Sequence, residues 1–271
     1  MGQKHLRHIG GGGHFFLAGI CDSNSSAFPS GAPCWTSLTE ALSASHANAA
    51  LVAVPPQAHT ACARACLDAG LAVLMEKPLA ASFAQASELR QAFAAAQVIL
   101  QPAMVERFNP AWQTLRLRLA SESIRAIHIR REGGTQRLGH QIGVGQDLAI
   151  HDLDLLLDLL PGLQRKALLR EGTAGNEHRL EMRLSDQDVE VELCAAWDLP
   201  PRRTWIVETA SGRYFANLRD TRLRWNDEEI PLPRADALAS LQKAFADLLE
   251  CGETDQAGLA RALSALALLE D

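Results

Sequence analysis

The sequence lacks an excess of basic residues. Its formal net charge is −6 over 271 residues and no lysine–arginine run stands out, which argues against broad nucleic-acid binding. No apolar stretch reaches the roughly 20 residues that a bilayer-spanning helix needs, so no membrane partner is expected. The N-terminus shows no basic start followed by a long apolar run, so it does not read as a secretory leader. The six cysteines, at 21, 34, 62, 66, 194 and 251, include no paired CxxC arrangement. A zinc site is therefore not expected, and reduced thiols with a cytoplasmic location are. Internal repeats are absent, and the only compositional bias lies in alanine-rich helices.

The chain does have a core: 47% of its residues are hydrophobic against 21% charged, and its length accommodates two domains. The organising stretch is 71–80, in which the apolar run Leu71 to Met75 ends abruptly in Glu76, Lys77 and Pro78. A short apolar run of this kind reads as a fully buried parallel strand. Such strands present ligands at their carboxyl ends, which puts Lys77 at the rim of a sheet. A surface lysine beside a turn proline is the bland alternative. Around it, strand candidates at 15–21, 49–54 and 98–100 alternate with helix candidates at 36–44, 59–70 and 82–95. Alternation of this kind implies right-handed βαβ units and a doubly wound parallel sheet over residues 1–102.

Two signals in this half concern a dinucleotide. Asp22 closes the 15–21 strand, where an acidic residue hydrogen-bonds adenosine ribose hydroxyls. No arginine follows it in sequence to take a 2′-phosphate, so NAD is favoured over NADP. An Asp that simply opens a turn before Ser23 and Asn24 is the competing account. The second signal is incomplete. A dinucleotide loop needs a strand, then G-x-G-x-x-G, then a helix, but the chain opens Met1-Gly2-Gln3-Lys4-His5, as though at the last glycine of such a loop. Gly10 to Gly13 lie after this helix and read as a flexible turn. The expectation is that the natural chain starts upstream, with a first strand and two further glycines.

Residues 103–271 read as α+β. Asn109 caps a helix that Pro110 starts. Strand-like segments follow at 124–130, 165–170, 178–184, 189–195, 203–208 and 213–218, several of them alternating apolar with polar, as an open, mostly antiparallel sheet should. Helices at 237–249 and 256–269 close the chain. The richest stretch is 145–156, where Asp147, His151 and Asp154 fall at i, i+4 and i+7, on one helical face among leucines. A buried carboxylate–imidazole–carboxylate row is costly unless paired or used. A metal site lacks an obvious further ligand and is not expected. A structural polar cluster and a catalytic acid–base row remain, the latter favoured because histidine titrates near neutrality.

Taken together, Val54-Pro55-Pro56 with His59, Glu76-Lys77-Pro78, Glu106-Arg107-Phe108-Asn109-Pro110 and the Asp147/His151/Asp154 helix resemble the Gfo/Idh/MocA oxidoreductases over nearly the whole chain. The resemblance implies a Rossmann domain, an open-sheet second domain, a nicotinamide cofactor and oligomerisation through the second sheet. It implies that Lys77 contacts substrate and nicotinamide ribose, with a part in proton transfer. His151 is then the acid–base on a sugar hydroxyl, and Asp147 and Asn109 help place the substrate. Gly2, Asp22, Val54, Pro55, His59 and Glu76 lie along the cofactor. The implied reaction is NAD-dependent oxidation of a secondary hydroxyl of a sugar or nucleotide-sugar. The Glu106–Pro110 and Asp147–Asp154 motifs are similar to those of UDP-N-acetylglucosamine 3-dehydrogenases and their relatives. Arg107, Arg130, Arg131 and Arg137 are candidates for a diphosphate, though each also reads as a solvated surface arginine. A non-catalytic binding or scaffold paralogue is the competing class.

Overall fold

In the computed structural model, residues 1–9, 14–24, 31–133, 142–173 and 176–270 are described. The chain forms two compact units, residues 1–103 with 238–260, and residues 104–237 with 261–271. The sequence expectation placed everything after 102 in the second domain. The segment 238–260 instead clusters with the first unit, where Phe245 stacks on Phe15 and Gln242 bonds to His5.

The first unit begins with α1 (Gly2–Ile9). Its parallel strands fall into two separate sheets: β1 (Ile20–Cys21) with β2 (Cys34–Trp35), and β3 (Ala49–Val52), β4 (Ala72–Met75) and β5 (Leu100–Pro102) in that order. Interleaved helices are α2 (Leu38–Ala44), α3 (Pro56–Asp68) and α4 (Phe83–Ala95). β4 is the middle strand of its sheet and every one of its residues is buried, which explains its unbroken apolar run. Ser82 caps α4 by accepting the Gln85 amide, as its position before the alanine-rich run predicts. α3 starts earlier than expected, at Pro56, because proline at the first helical position sacrifices no hydrogen bond. It stops at Gly70, whose φ of +73° suits glycine. Only Ile20 and Cys21 of the expected 15–21 strand pair with a neighbour, and β2 was not anticipated at all.

The second unit is built on one eight-stranded sheet of order β13-β12-β11-β10-β6-β9-β8-β7. Its strands are β6 (Ile124–Glu132), β7 (Gln164–Thr173), β8 (Asn176–Asp186), β9 (Val189–Ala196), β10 (Arg202–Thr209), β11 (Arg213–Asn217), β12 (Arg222–Trp225) and β13 (Glu228–Glu229). All pairings are antiparallel except β6 with β9. Alternation sorts the two faces: Ile127, Ile129, Met182, Leu193, Trp205 and Val207 are buried, whereas Glu181, Arg183, Glu190 and Glu192 are exposed. This unit carries α5 (Pro110–Leu119) and α6 (Ile150–Leu159), together with the later part of the last helix. Trp112 of α5 packs on Trp205 with ring centroids 5.1 Å apart. The chain ends in α7 (Ala237–Cys251) and α8 (Gln256–Leu269).

Candidate active site

β3 and β4 run parallel and in register, with Val52 opposite Met75, so the loops carrying Val54–Pro55 and Glu76–Lys77 leave the same edge of the sheet. Parallel α/β sheets bind ligands outside this carboxyl edge. Lys77 is half-buried there and its peptide bond to Pro78 is cis. A buried histidine ties the two loops together: His59 Nδ1 lies 2.7 Å from the Pro78 carbonyl and Nε2 lies 3.0 Å from the Val54 carbonyl. On the other side, the Glu76 carboxylate accepts the Lys77 amide at 3.2 Å and faces His5 Nε2 at 2.8 Å. Lys77 therefore leaves the backbone from a turn braced by two histidines.

Burial pushes the pKa of His59 down from the ordinary histidine value of 6.5, and Lys77 pushes the same way. Its two carbonyl partners and Glu76 pull in the opposite direction, and burial outweighs them. The unfolded chain therefore binds a proton more readily at this position than the folded one. The stability it contributes is complete above about pH 6.5 and declines as pH falls through the lower, folded value. His59→Gln, which cannot titrate, is expected to lose less stability than the wild type between about pH 7.5 and about pH 5. Urea midpoints at the two pH values measure this, and equal losses would show that His59 does not titrate in that window.

The other cofactor-side residues occupy suitable places. Asp22 follows β1, is exposed, and accepts the Asn24 amide at 2.9 Å, which orients its carboxylate. Gly2 opens α1, and a Cβ placed on it would lie 4.0 Å from Ala53 Cβ. The N-terminus of α1, where backbone N–H groups favour anions, thus begins beside the loop that follows β3. A dinucleotide fits this set: a helix N-terminus for phosphate, Asp22 for ribose, and the Val54–Pro55 and Glu76–Lys77 loops for the nicotinamide end. Gly10 to Gly13 lie outside the described residues. None of the six cysteines is in a disulfide, and burial pushes the Cys66 thiol up to about 11, so that thiol is no nucleophile near neutrality.

In the second unit the motif at 145–156 is not one uniform helix. Residues Gly145–Ala149 form a π-helical turn that leads into α6, a feature often found at functional sites. The three residues of the i, i+4, i+7 row have different surroundings. Asp147 and His151 are half-buried, whereas Asp154 is 1% exposed and turned inward onto Arg107, with Nε at 2.7 Å from Oδ2. Burial pushes the Asp154 carboxyl up against the pull of Arg107. Trp197 Nε1 donates to Asp147 Oδ2 at 3.1 Å.

A buried ion network that the sequence did not reveal holds α6 next to His151. Asp152 bonds to the Arg131 guanidinium and accepts Trp205 Nε1 at 2.8 Å. Arg131 also reaches Glu106 at 3.1 Å, and Arg203 reaches the same oxygen at 3.2 Å. Two carboxylates keep the wholly buried Arg131 charged by raising its pKa. Asn109 joins this network: Nδ2 donates to Glu106 at 3.1 Å and to the Leu218 carbonyl at 2.8 Å, while Oδ1 caps α5 by accepting the Ala111 amide. Its polar atoms all take part in these bonds, so a substrate contact at Asn109 would have to share them. Arg107 and Arg131 are likewise engaged with buried carboxylates. Arg130 lies exposed on β6, 3.6 Å from Glu132, and Arg137 is outside the described residues. Among the described residues no cluster of His, Cys, Asp and Glu suits a metal.

Parallel strands with an acidic residue after β1 and a braced lysine after β4, followed by a large, mostly antiparallel sheet, make a Rossmann-type unit joined to an α+β unit. Residues 1–104 match the model of the GFO_IDH_MocA family, described as an oxidoreductase family with an NAD-binding Rossmann fold. That match spans 104 of the 271 residues, so it is the first part of the chain that is similar to this family. Several solved structures share the fold. UDP-N-acetylglucosamine 3-dehydrogenase GnnA from Acidithiobacillus ferrooxidans has a TM-score of 0.81 at 22% identity, covering 99% of this chain and 95% of that one. The 3-ketoreductase KijD10 from Actinomadura kijaniata, in complex with TDP-benzene and NADP, has a TM-score of 0.87 at 18% identity, covering 98% and 90%. D-galactose-1-dehydrogenase from Rhizobium etli has a TM-score of 0.84 at 21% identity, covering 98% and 90%.

Proposed function

We propose that the protein is an NAD-dependent dehydrogenase that oxidises a secondary hydroxyl of a sugar or nucleotide-sugar, with C3 of a UDP-N-acetylhexosamine as the first substrate to try. The observation that carries this reading is Lys77, held at the carboxyl end of the buried strand β4 by Glu76 on one side and the His59–Pro78 contact on the other. When bound, the nicotinamide supplies the carbon that accepts the substrate's hydride. The chain's own residues do the rest. His151, half-buried at the start of α6, takes the hydroxyl proton. Lys77 binds the substrate and shares in proton transfer. Asp147, oriented by Trp197, places the substrate. Oxidation of the alcohol to a ketone then releases one proton and yields one NADH.

Asp22 supports NAD over NADP, because its exposed carboxylate repels a 2′-phosphate. Oligomerisation through the open face of the second unit's sheet belongs to the same proposal; that sheet exposes Leu169 of its edge strand β7. No described helix is long and apolar enough to cross a membrane. The test is turnover of a panel of UDP-sugars, TDP-sugars, free aldoses and polyols with NAD⁺ and NADP⁺, alongside NADH and NADPH fluorescence titrations. A UDP-sugar is expected to turn over with NAD⁺. Failure of both nucleotides to bind would favour the scaffold reading, and tighter binding of NADPH would overturn the role given to Asp22.

A further inference from the structure

Glu76 touches Lys77 through one carboxylate oxygen and His5 through the other. His5 and Glu76 are 1% and 6% exposed, so neither can turn to water for a partner. The far side of the imidazole is occupied as well. Gln242 Nε2, on α7, lies 3.1 Å from the His5 carbonyl oxygen and 3.2 Å from His5 Nδ1. A carbonyl oxygen only accepts, so the group facing it is the amide NH₂, which carries two hydrogens. One goes to the carbonyl and the other to Nδ1. That makes Nδ1 an acceptor and leaves the imidazole proton on Nε2, pointing at Glu76. Gln242 thus sets the tautomer of His5, His5 donates to Glu76, and Glu76 receives the Lys77 amide.

We propose that His5 is a positioning residue for Lys77, acting through Glu76, with Gln242 fixing its tautomer. The inference rests on the reading of Lys77 as the substrate-binding lysine. Without the His5 donor, a buried carboxylate is left one hydrogen bond short, and it is the group that anchors the backbone from which Lys77 departs. Misplacing a reacting group by about 1 Å costs on the order of 10²-fold in rate.

Three variants test this in the full-length protein: His5→Leu, His5→Gln, which restores an N–H donor at the end of the side chain, and Gln242→Leu. In the wild type, ¹⁵N NMR of the imidazole is expected to show Nε2 protonated and Nδ1 bare. Amide exchange at Lys77 is expected to rise about tenfold in His5→Leu and to stay within about twofold of wild type in His5→Gln. The Val73 amide, bonded to the Ile99 carbonyl, is the control and should not change. With an active substrate, kcat should fall about 10²-fold in His5→Leu and recover in His5→Gln, at constant KM for NAD⁺. Should His5→Leu not fold, Gln242→Leu carries the test: a mixed tautomer and faster Lys77 exchange support the proposal. Nδ1 protonation in the wild type, unchanged Lys77 exchange in the folded variants, or equal exchange in His5→Leu and His5→Gln overturns it. The NMR readouts need no substrate. If the dehydrogenase reading is wrong, the wild type stays inactive on every substrate while the exchange result stands on its own.

Discussion

Lys77→Ala is expected to lower kcat by about 10²–10⁴-fold, the range for loss of a positioned proton-transfer group, while NADH binding and the urea midpoint stay near wild type. The reason is where Lys77 stands. Its side chain is half-buried at a sheet edge, and Glu76 and His59 bond to the backbone of its turn. Truncating the amine therefore leaves the brace intact. His151→Ala is expected to lie in the same range. If the two groups serve one hydroxyl, the double variant should cost little more than either single one, as groups that act as a unit do. Fully multiplied losses would mean that the residues act on different steps. A parallel loss of NADH binding and stability in Lys77→Ala would make the lysine structural.

Arg131→Ala is expected to destabilise the second unit by about 3–5 kcal/mol, because it strips the counter-charge from buried carboxylates. Asp152 and Glu106 are 1% and 6% exposed, and both take hydrogen bonds from this one guanidinium. The loss is a large share of a domain's net stability of about 5–15 kcal/mol. Urea denaturation followed by tryptophan fluorescence measures it, since Trp205 is bonded to Asp152 and stacked near Trp112. A loss below about 1 kcal/mol, typical of an exposed ion pair, would show that the network is not holding α6. Replacing Arg131, Asp152 and Glu106 together by apolar residues of similar volume should cost far less than Arg131→Ala, because the charge then left without its partner, Arg203, is half-exposed rather than buried.

The network also marks the limit of reading along the chain. Glu106, Arg107 and Asn109 stood out as a motif, yet their partners, Arg131, Arg203, Asp154 and Leu218, come from elements distant in sequence. Arg107 and Arg131 look like surface cations until those partners are seen. Asp147, His151 and Asp154 match one face of an α-helix, but the π-helical turn at Gly145–Ala149 shifts Asp147 out of phase with the other two, and Asp154 is taken up by Arg107. His5 carried no local signal: the residues that give it a role lie 71 and 237 positions away.

What the sequence determined by itself is whatever repeats or stops locally. The run 71–75 had to be a buried strand because no polar residue interrupts it, and Lys77 had to sit at its end because the apolar run stops there. Alternating apolar and polar residues along 178–195 had to make a sheet with one wet face, because side chains on a strand point alternately to its two sides. Tertiary structure alone decided which charges are buried and paired, which helical phase His151 occupies, and that residues 238–260 return to the first unit. A charged side chain can enter a core only with its partner, and the choice of partner is made in space rather than along the chain.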